Sequence, residues 1–136
     1  MTEQTDLRQR DYYVDMVEKK YFANVDRKNM DAVLDCFAED AVFTIQSAFT
    51  THEGRDTGIR KMFENLFNTY SPKIVHRDFK HVVDIENNCC AAQFEVELTD
   101  TDGNETYLSN CNFFYLDKNG KFERVFVYMS GENVLV

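Results

Sequence analysis

The stretch at residues 21–42 reads YFANVDRKNMDAVLDCFAEDAV and decides the fold of this chain. Apolar residues recur at helical spacing on both sides of the polar run 26–29, which predicts the end of one helix, a turn and a second helix. Asn29 is expected to cap the second helix. Residues 41–45 are rich in β-forming side chains and predict a strand. Two helices and a strand would form one wall of a cup, so the rest of the chain must supply the other wall.

Helical spacing continues on both sides of this stretch. Residues 7–25 are expected to form the first helix, and residues 30–38 the second. Residues 46–53 carry mixed signals and are interpreted as a short strand or hairpin arm. A third helix follows the turn at Gly54, and the chain's only proline, Pro72, ends it. The apolar face of this third helix comprises Ile59, Met62, Phe63, Leu66, Phe67 and Tyr70.

After Pro72 the chain becomes rich in β-forming residues. Turn-forming residues separate the strands, and Gly103 and Gly120 can supply the positive φ that hairpin turns need. Consecutive strands joined by short turns form an antiparallel meander. Helices first and a sheet afterwards predict an α+β fold. The four predicted strands span residues 73–86, 89–100, 105–117 and 121–129.

Length and charge restrict the classes of function. The chain has 136 residues, which we expect to form one domain, 1–136, with a buried core. Its formal net charge of −9 argues against nucleic acid and anionic membranes as partners, because their phosphates would be repelled. No apolar run approaches the ~20 residues of a transmembrane helix, and the N-terminal region is too charged for a signal peptide. A cytoplasmic location is therefore expected.

The reactive side chains lack the spacing of most known sites. Cys36, Cys89, Cys90 and Cys111 have no metal-binding pattern and are interpreted as free, buried thiols in a reducing compartment. The histidines form no H-x-x-x-H pair, and there is neither a glycine-rich phosphate loop nor a G-x-S-x-G nucleophile elbow. We therefore expect no metal and no cofactor. Acid–base catalysis and ligand binding remain.

The order of predicted elements resembles that of the nuclear transport factor 2 superfamily. So do the texts YFANVDRKNMDAVLDCFAEDAVF at residues 21–43 and EGRDTGIRKMF at residues 53–63. They resemble its SnoaL-like branch, which includes polyketide cyclases, ketosteroid isomerases and scytalone dehydratase. The resemblance covers about residues 8–130. It implies a cone-shaped, curved antiparallel or mixed sheet around three N-terminal helices (cystatin-like, α-α-β-β-α-β-β-β-β), a deep apolar cavity open at one end, and a homodimer formed through the sheet.

The resemblance to ketosteroid isomerase implies an oxyanion hole built from a tyrosine and a late-strand acid, with an aspartate as the base. Tyr21 matches the tyrosine. The base position falls on Ile45, however, and the acid falls on or near Asn112. Without a carboxylate at position 45 this form of steroid isomerase chemistry is not expected. Tyr21 and Asn112 could still both donate hydrogen bonds to a ligand carbonyl.

The resemblance to scytalone dehydratase and several SnoaL-like proteins implies an aspartate that orients a histidine. Asp26 and His76 match these positions. A carboxylate bonded to one ring nitrogen fixes the tautomer, which leaves the other nitrogen free to take a proton alpha to a carbonyl or to assist loss of water. Val25 replaces that family's tyrosine, and residues 107–115 lack its second histidine. This puts dehydration in doubt and leaves a lone Asp–His pair.

Structural roles compete with the catalytic ones. Asp26 could serve only as a cap for the following turn, and His76 could be a structural histidine. His81 lies five residues after His76, so on an unbroken strand it faces the opposite side and is expected at the surface.

Three functions are open: a cofactor-free enzyme acting on a small apolar or aromatic carbonyl compound, a non-catalytic ligand-binding domain, and a protein adaptor. For the enzyme, cyclisation, isomerisation and loss of water all remain possible reactions. Asn110 and Asn112 lie on an otherwise apolar strand face and need partners, which a polar ligand group would supply. A cavity filled by its own phenylalanines would weaken both ligand hypotheses. The expected substrate-binding residues are Tyr21, Phe43, Ile45, Phe63, Phe67, Phe94, Asn110, Asn112 and Phe114.

Overall fold

The structure is a computed structural model that describes residues 6–136. Its first helix, α1, is one continuous run. It has an α-helical turn at Arg10–Asp15, a π-helical segment at Met16–Phe22 and a last α-helical turn at Ala23–Asp26. It ends before Lys28, whose φ of 57° lies in the left-handed region that a helix cannot continue through. The end of α1 therefore fixes the position of Asp26.

The second helix, α2, spans Met30–Asp35 and begins as predicted. The side-chain oxygen of Asn29 accepts a hydrogen bond from the backbone N–H of Ala32 at 3.3 Å. The helix is shorter than predicted, because strand β1 spans Phe37–Ile45 and starts directly after Cys36. Phe37 pairs with Phe122 in the sheet, and this tertiary contact takes the place of a last helical turn.

A 3₁₀ turn at Gln46–Ala48 leads from β1 into β2, which spans Thr50–Glu53. Residues 46–53 therefore form the turn and second strand of a hairpin, as predicted. The third helix, α3, comprises a π-helical segment at Gly54–Ile59 and an α-helical segment at Arg60–Thr69.

Four long strands follow, close to the predicted boundaries: β3 at Lys73–Asp84, β4 at Cys89–Thr99, β5 at Glu105–Leu116 and β6 at Phe122–Tyr128. The six strands form one sheet in the order β2-β1-β6-β5-β4-β3. All neighbours are antiparallel except β1 and β6, which are parallel. The sheet is therefore mixed, and the predicted α+β class is confirmed.

Aromatic side chains fill the space between the helices and the inner face of the sheet. The ring of Tyr21 lies at their centre, with ring centroids 5.5 to 6.2 Å from those of Phe37, Phe63, Phe114 and Phe122. These side chains are almost fully buried. Across residues 6–136, no helix has the length and apolar character needed to cross a membrane.

Candidate active site

Asp26 and His76 are in direct contact. One carboxylate oxygen of Asp26, Oδ1, lies 2.6 Å from the ring nitrogen Nδ1 of His76. The other, Oδ2, accepts a hydrogen bond from the backbone N–H of His76 at 3.0 Å. Because β3 is an edge strand of the sheet, this N–H is available to a side chain from α1. The same carboxylate therefore anchors α1 to the sheet edge and orients the imidazole.

The environment of His76 holds its ring in one orientation. Its side chain is 10% exposed, and its ring packs against Phe22 and Phe94 with centroids 4.5 and 5.6 Å apart. When Nδ1 donates its proton to Asp26, Nε2 carries only a lone pair. The pair thus has the arrangement of a positioned general base.

His76 is part of the wall of a narrow cavity between α1, α3 and the inner face of the sheet. The cavity volume is about 30 Å³. Since one water molecule needs roughly 10–15 Å³ on this measure, the space holds about two. The deep cavity that the resemblance implies is thus largely filled by side chains. The lining residues are Tyr21, Phe22, Val25, Phe63, Leu66, His76, Phe94, Val96, Leu98, Asn110, Asn112, Val127, Met129, Val134 and Leu135.

Four of the expected substrate-binding residues lie away from this cavity. The side chains of Phe43, Ile45, Phe67 and Phe114 are buried in the core and do not line it. Phe43 packs on Phe63, and Phe114 packs on Phe122, so these rings contact other rings instead of open space. The apolar patterns of the strands and of α3 predicted that these side chains face the interior. They did not predict which part of the interior holds the cavity.

The remaining five, Tyr21, Phe63, Phe94, Asn110 and Asn112, do line the cavity. Burial raises the pKa of the Tyr21 hydroxyl well above its ordinary value, so the group stays protonated and can donate a hydrogen bond. The carbonyl oxygen of the Asn110 side chain accepts a hydrogen bond from the N–H of Ser130 at 3.4 Å. The Asn112 side-chain oxygen has no partner among the described residues.

Residues 130–136, which we call the covering segment, were not predicted to contribute to the site. Val134 and Leu135 line the cavity. Ser130 binds β5 through Ser109 and Asn110, and two more hydrogen bonds hold the last two residues of the segment. The ring nitrogen Nε2 of His52 lies 2.9 Å from the carbonyl oxygen of Leu135, and the side-chain amide of Asn65 donates to the carbonyl oxygen of Val136 at 2.8 Å. A short irregular segment has no periodic pattern, and only its apolar residues after Gly131 hinted at burial.

A second histidine also binds a carboxylate, outside the cavity. His81 Nε2 lies 2.7 Å from Glu18 Oε2, and the His81 side chain is only 4% exposed. The expected surface position of His81 is therefore wrong. A bulge between Arg77 and Lys80, with Asp78 at a φ of 59°, inserts one extra residue into β3 and turns His81 inward.

The buried cysteines are poor nucleophiles. Burial raises the pKa of Cys36 and of Cys90 to about 12, so neither forms an appreciable amount of thiolate at neutral pH. Among the described residues, no group of three or more His, Cys, Asp or Glu side chains could hold a metal ion. The cavity lining thus includes Tyr21, Asn110, Asn112 and His76, whose ring Asp26 contacts.

The family model of the SnoaL-like domain matches residues 19–125. The chain belongs to the SnoaL-like family. The match includes Tyr21, Asp26 and His76 as well as both cavity asparagines, and it ends before the covering segment. A comparison with curated proteins finds no match to this SnoaL-like protein.

Solved structures share its fold over most of their length. One of them is SalBIII, an epoxide hydrolase/cyclase-like enzyme with a role in pyran ring formation in the polyether salinomycin. It is 18% identical in sequence, and its structure superposes with a TM-score of 0.78 over 90% of this chain and 94% of SalBIII. A candidate polyketide cyclase from Xanthomonas campestris pv. campestris is 20% identical, with a TM-score of 0.76 and coverages of 90% and 92%. A candidate aromatic ring hydroxylase from Novosphingobium aromaticivorans is 26% identical, with a TM-score of 0.73 and coverages of 95% and 94%.

Proposed function

We propose that this SnoaL-like protein is a cofactor-independent enzyme that moves a proton on a small, largely apolar carbonyl compound. The observation that carries the proposal is the 2.6 Å contact between Asp26 Oδ1 and His76 Nδ1 at the wall of an apolar cavity. A histidine whose tautomer is fixed by a carboxylate is the usual form of a general base in proteins.

In this mechanism His76 Nε2 takes a proton from the carbon next to the substrate carbonyl. The electron pair of the broken C–H bond moves into the carbonyl group and forms an enolate. The protonated Tyr21 hydroxyl donates a hydrogen bond to the enolate oxygen, and the amide of Asn112 is available as a second donor. Return of the proton from His76 to another carbon gives isomerisation. Loss of a β-hydroxyl group that takes the proton from His76 as it leaves gives water and an unsaturated ketone. Attack of the carbanion on an internal electrophile, whose resulting anion takes the proton from His76, gives cyclisation.

The second candidate function is ligand binding without catalysis. The observation that favours it is the second hydrogen bond of Asp26, which its Oδ2 accepts from the backbone N–H of His76, because this bond gives the carboxylate a structural role. In that case the Asp26–His76 pair would only join α1 to the edge of the sheet.

The two functions differ in whether His76 exchanges protons with a bound ketone. The test is deuterium incorporation from D₂O at the alpha carbon of small cyclic ketones, followed by NMR, with wild-type protein and with His76→Gln. We expect the substitution to lower the exchange rate about 10²-fold or more, the usual contribution of a general base.

The chain offers a matched control, because His81 is a second buried histidine bonded to a carboxylate but does not line the cavity. His81→Gln should keep the wild-type exchange rate. Equal loss in both variants, or no exchange above the solvent rate with wild-type protein across the ketone panel, would contradict the enzymatic proposal and favour ligand binding.

A further inference from the structure

A second cleft lies outside the cavity, between α1, the end of α2 and the turn that joins β5 to β6. Its volume is about 340 Å³, whereas that of the cavity is about 30 Å³. The two share no lining residue, so they are separate spaces. We call this second space the α1–α2 cleft. Its lining includes Tyr12, Met16 and Lys20 of α1, with Asp35, Cys36 and Lys121 opposite.

Hydrogen bonds join the walls of the α1–α2 cleft. The hydroxyl of Tyr12 donates to the carbonyl oxygen of Gly120 at 2.9 Å, which joins α1 to the β5–β6 turn. The ammonium group of Lys121 donates to the carbonyl oxygen of Asp35 at 2.6 Å, which joins the same turn to the end of α2. The cleft is therefore formed before a ligand arrives, so a ligand loses little affinity to ordering of the protein.

The floor of the cleft is apolar and its rim is cationic. Met16 and Cys36 are each 3% exposed. Burial raises the pKa of the Cys36 thiol to about 12, so the floor is uncharged at neutral pH. The charges of Lys121 and Lys20 oppose this shift of the pKa, because both ammonium groups lie near the thiol. Asp35 is the one acidic side chain among the described lining residues, so two positive charges and one negative charge give the lining a formal charge of +1.

The charge and size of the cleft restrict its ligand. A monoanion balances the charge of the lining, whereas a dianion would be repelled by the carboxylate of Asp35. The ammonium group of Lys121 has three N–H donors and two acceptors in reach, the carbonyl oxygen of Asp35 at 2.6 Å and its Oδ2 at 3.5 Å. A third donor can therefore bind a ligand carboxylate. Since a cavity of about 150 Å³ holds benzene, the cleft has room for an aromatic ring beside the carboxylate.

We propose that the α1–α2 cleft is a binding site for a small aromatic monocarboxylate. The carboxylate accepts hydrogen bonds from Lys121 and Lys20, and the ring packs against Met16 and Ala32. Because the cleft and the cavity have no lining residue in common, this site does not depend on the proposed catalytic function.

The test compares three probes with the full chain: 2-naphthoate; 2-naphthamide, which has a similar shape without the charge; and acetate, which has the charge without the ring. Dissociation constants come from NMR titration of ¹⁵N-labelled protein, which also locates the site. For wild-type protein we expect 2-naphthoate to bind with a Kd of about 2 mM or below, as a ligand of its size allows, and about tenfold or more tightly than the other two probes. The largest shifts should fall on backbone amides of residues 16–20, 32–36 and 119–121.

Lys121→Met should weaken the binding of 2-naphthoate about tenfold or more, because it removes a charged donor, and Lys121→Arg should retain most of the affinity. Lys118→Met is the matched control. Lys118 is an exposed residue of the same turn that does not line the cleft, so this variant should keep the wild-type Kd within about twofold. If Lys121→Met fails to fold, Ala32→Leu decides the matter, because it fills part of the cleft, leaves the charges in place and should also weaken binding about tenfold.

Equal affinities for 2-naphthoate and 2-naphthamide, a Kd above about 2 mM for 2-naphthoate, or shifts confined to the residues that line the cavity would each overturn the inference. Equal loss of affinity in Lys118→Met and Lys121→Met would overturn it as well, since the anion would then respond only to the overall charge of the protein. His76→Gln should bind 2-naphthoate as tightly as wild-type protein does. The binding site therefore stands or falls separately from the catalytic proposal.

Discussion

A single carboxylate, that of Asp26, has two tasks. It accepts the backbone N–H of His76 and also contacts the ring nitrogen of the same residue. An amide in its place has only one oxygen, so it can satisfy one of these donors but not both. Its N–H₂ group would favour the other tautomer of the imidazole, in which Nε2 carries the proton and can no longer act as a base.

We therefore expect Asp26→Asn to lower the rate of ketone deuterium exchange by about 10²-fold or more, with a loss of about 1 kcal/mol in the free energy of unfolding. Exchange is followed by NMR and stability by urea denaturation. Glu18→Gln, at the other carboxylate–histidine contact, is the matched control and should leave the exchange rate unchanged. Full activity in Asp26→Asn would show that the carboxylate has only the anchoring role.

The sequence indicated some site residues and not others, for identifiable reasons. Asp26 and His76 were predicted through the resemblance, and their contact follows from the end of α1 meeting the edge strand β3. His81 was placed on the wrong side, because the left-handed conformation of Asp78 has no reliable sequence signal. The unsatisfied state of Asn112 depends on its neighbours across the sheet, which no single strand reveals.

At the scale of elements, the covering segment forms part of the cavity wall through Val134 and Leu135. Its last two residues are held by the contact between His52 and the carbonyl of Leu135 and by the hydrogen bond from Asn65 to the carbonyl of Val136. With Val134 and Leu135 in place only about 30 Å³ remains open, so a ring-sized ligand requires this segment to move.

We expect the double substitution His52→Ala and Asn65→Ala to free the segment. The loss of two hydrogen bonds of about 1 kcal/mol each should raise the equilibrium constant for opening of the segment roughly thirtyfold. The change is measured as faster amide hydrogen exchange in residues 130–136 and as faster ligand association. Asn24→Ala, which removes a side-chain bond within α1, should change neither rate. Unchanged exchange in the double variant would mean that apolar packing and the hydrogen bonds of Ser130 hold the segment.

Element boundaries were predicted best where the pattern was long and regular. The four long strands agree with the sequence because alternation and hairpin turns are local signals, and Gly103 and Gly120 adopt the positive φ expected of them. The extent of β1 was underestimated, because Phe37 joins the sheet only through its pairing with Phe122. The π-helical segments of α1 and α3 and the covering segment depend on tertiary packing and have no simple periodicity.

At the scale of the whole molecule, the outer face of the sheet is the expected dimer surface. It carries the aromatic pairs Phe113–Tyr128 and Tyr115–Phe126, each with ring centroids 5.9 Å apart. Tyr128 is 44% exposed, and Tyr107 on the same face is 59% exposed. Aromatic residues are enriched at protein interfaces, and a two-fold dimer would bury the same patch on both copies.

We expect sedimentation equilibrium to give twice the monomer mass of 16.0 kDa. Phe113→Lys should shift the protein to monomer, because it would bury a charge at the centre of the interface. Phe49→Lys is the control, since Phe49 is 89% exposed in the turn between β1 and β2 and is not part of these aromatic pairs. A wild-type monomer at all concentrations tested would rule out the dimer.

The π-helical segment Met16–Phe22 also affects how this chain aligns with its relatives. Because its backbone bonds reach five residues back instead of four, it fits more residues into the same length of helix than an α-helix does. A relative whose first helix is α-helical throughout needs a gap here. If such a relative is aligned without a gap so that Asp26 is matched, the residues before Met16 are shifted relative to those of the relative. Tyr12 and Tyr13 are then aligned with residues whose side chains lie on a different face of the helix.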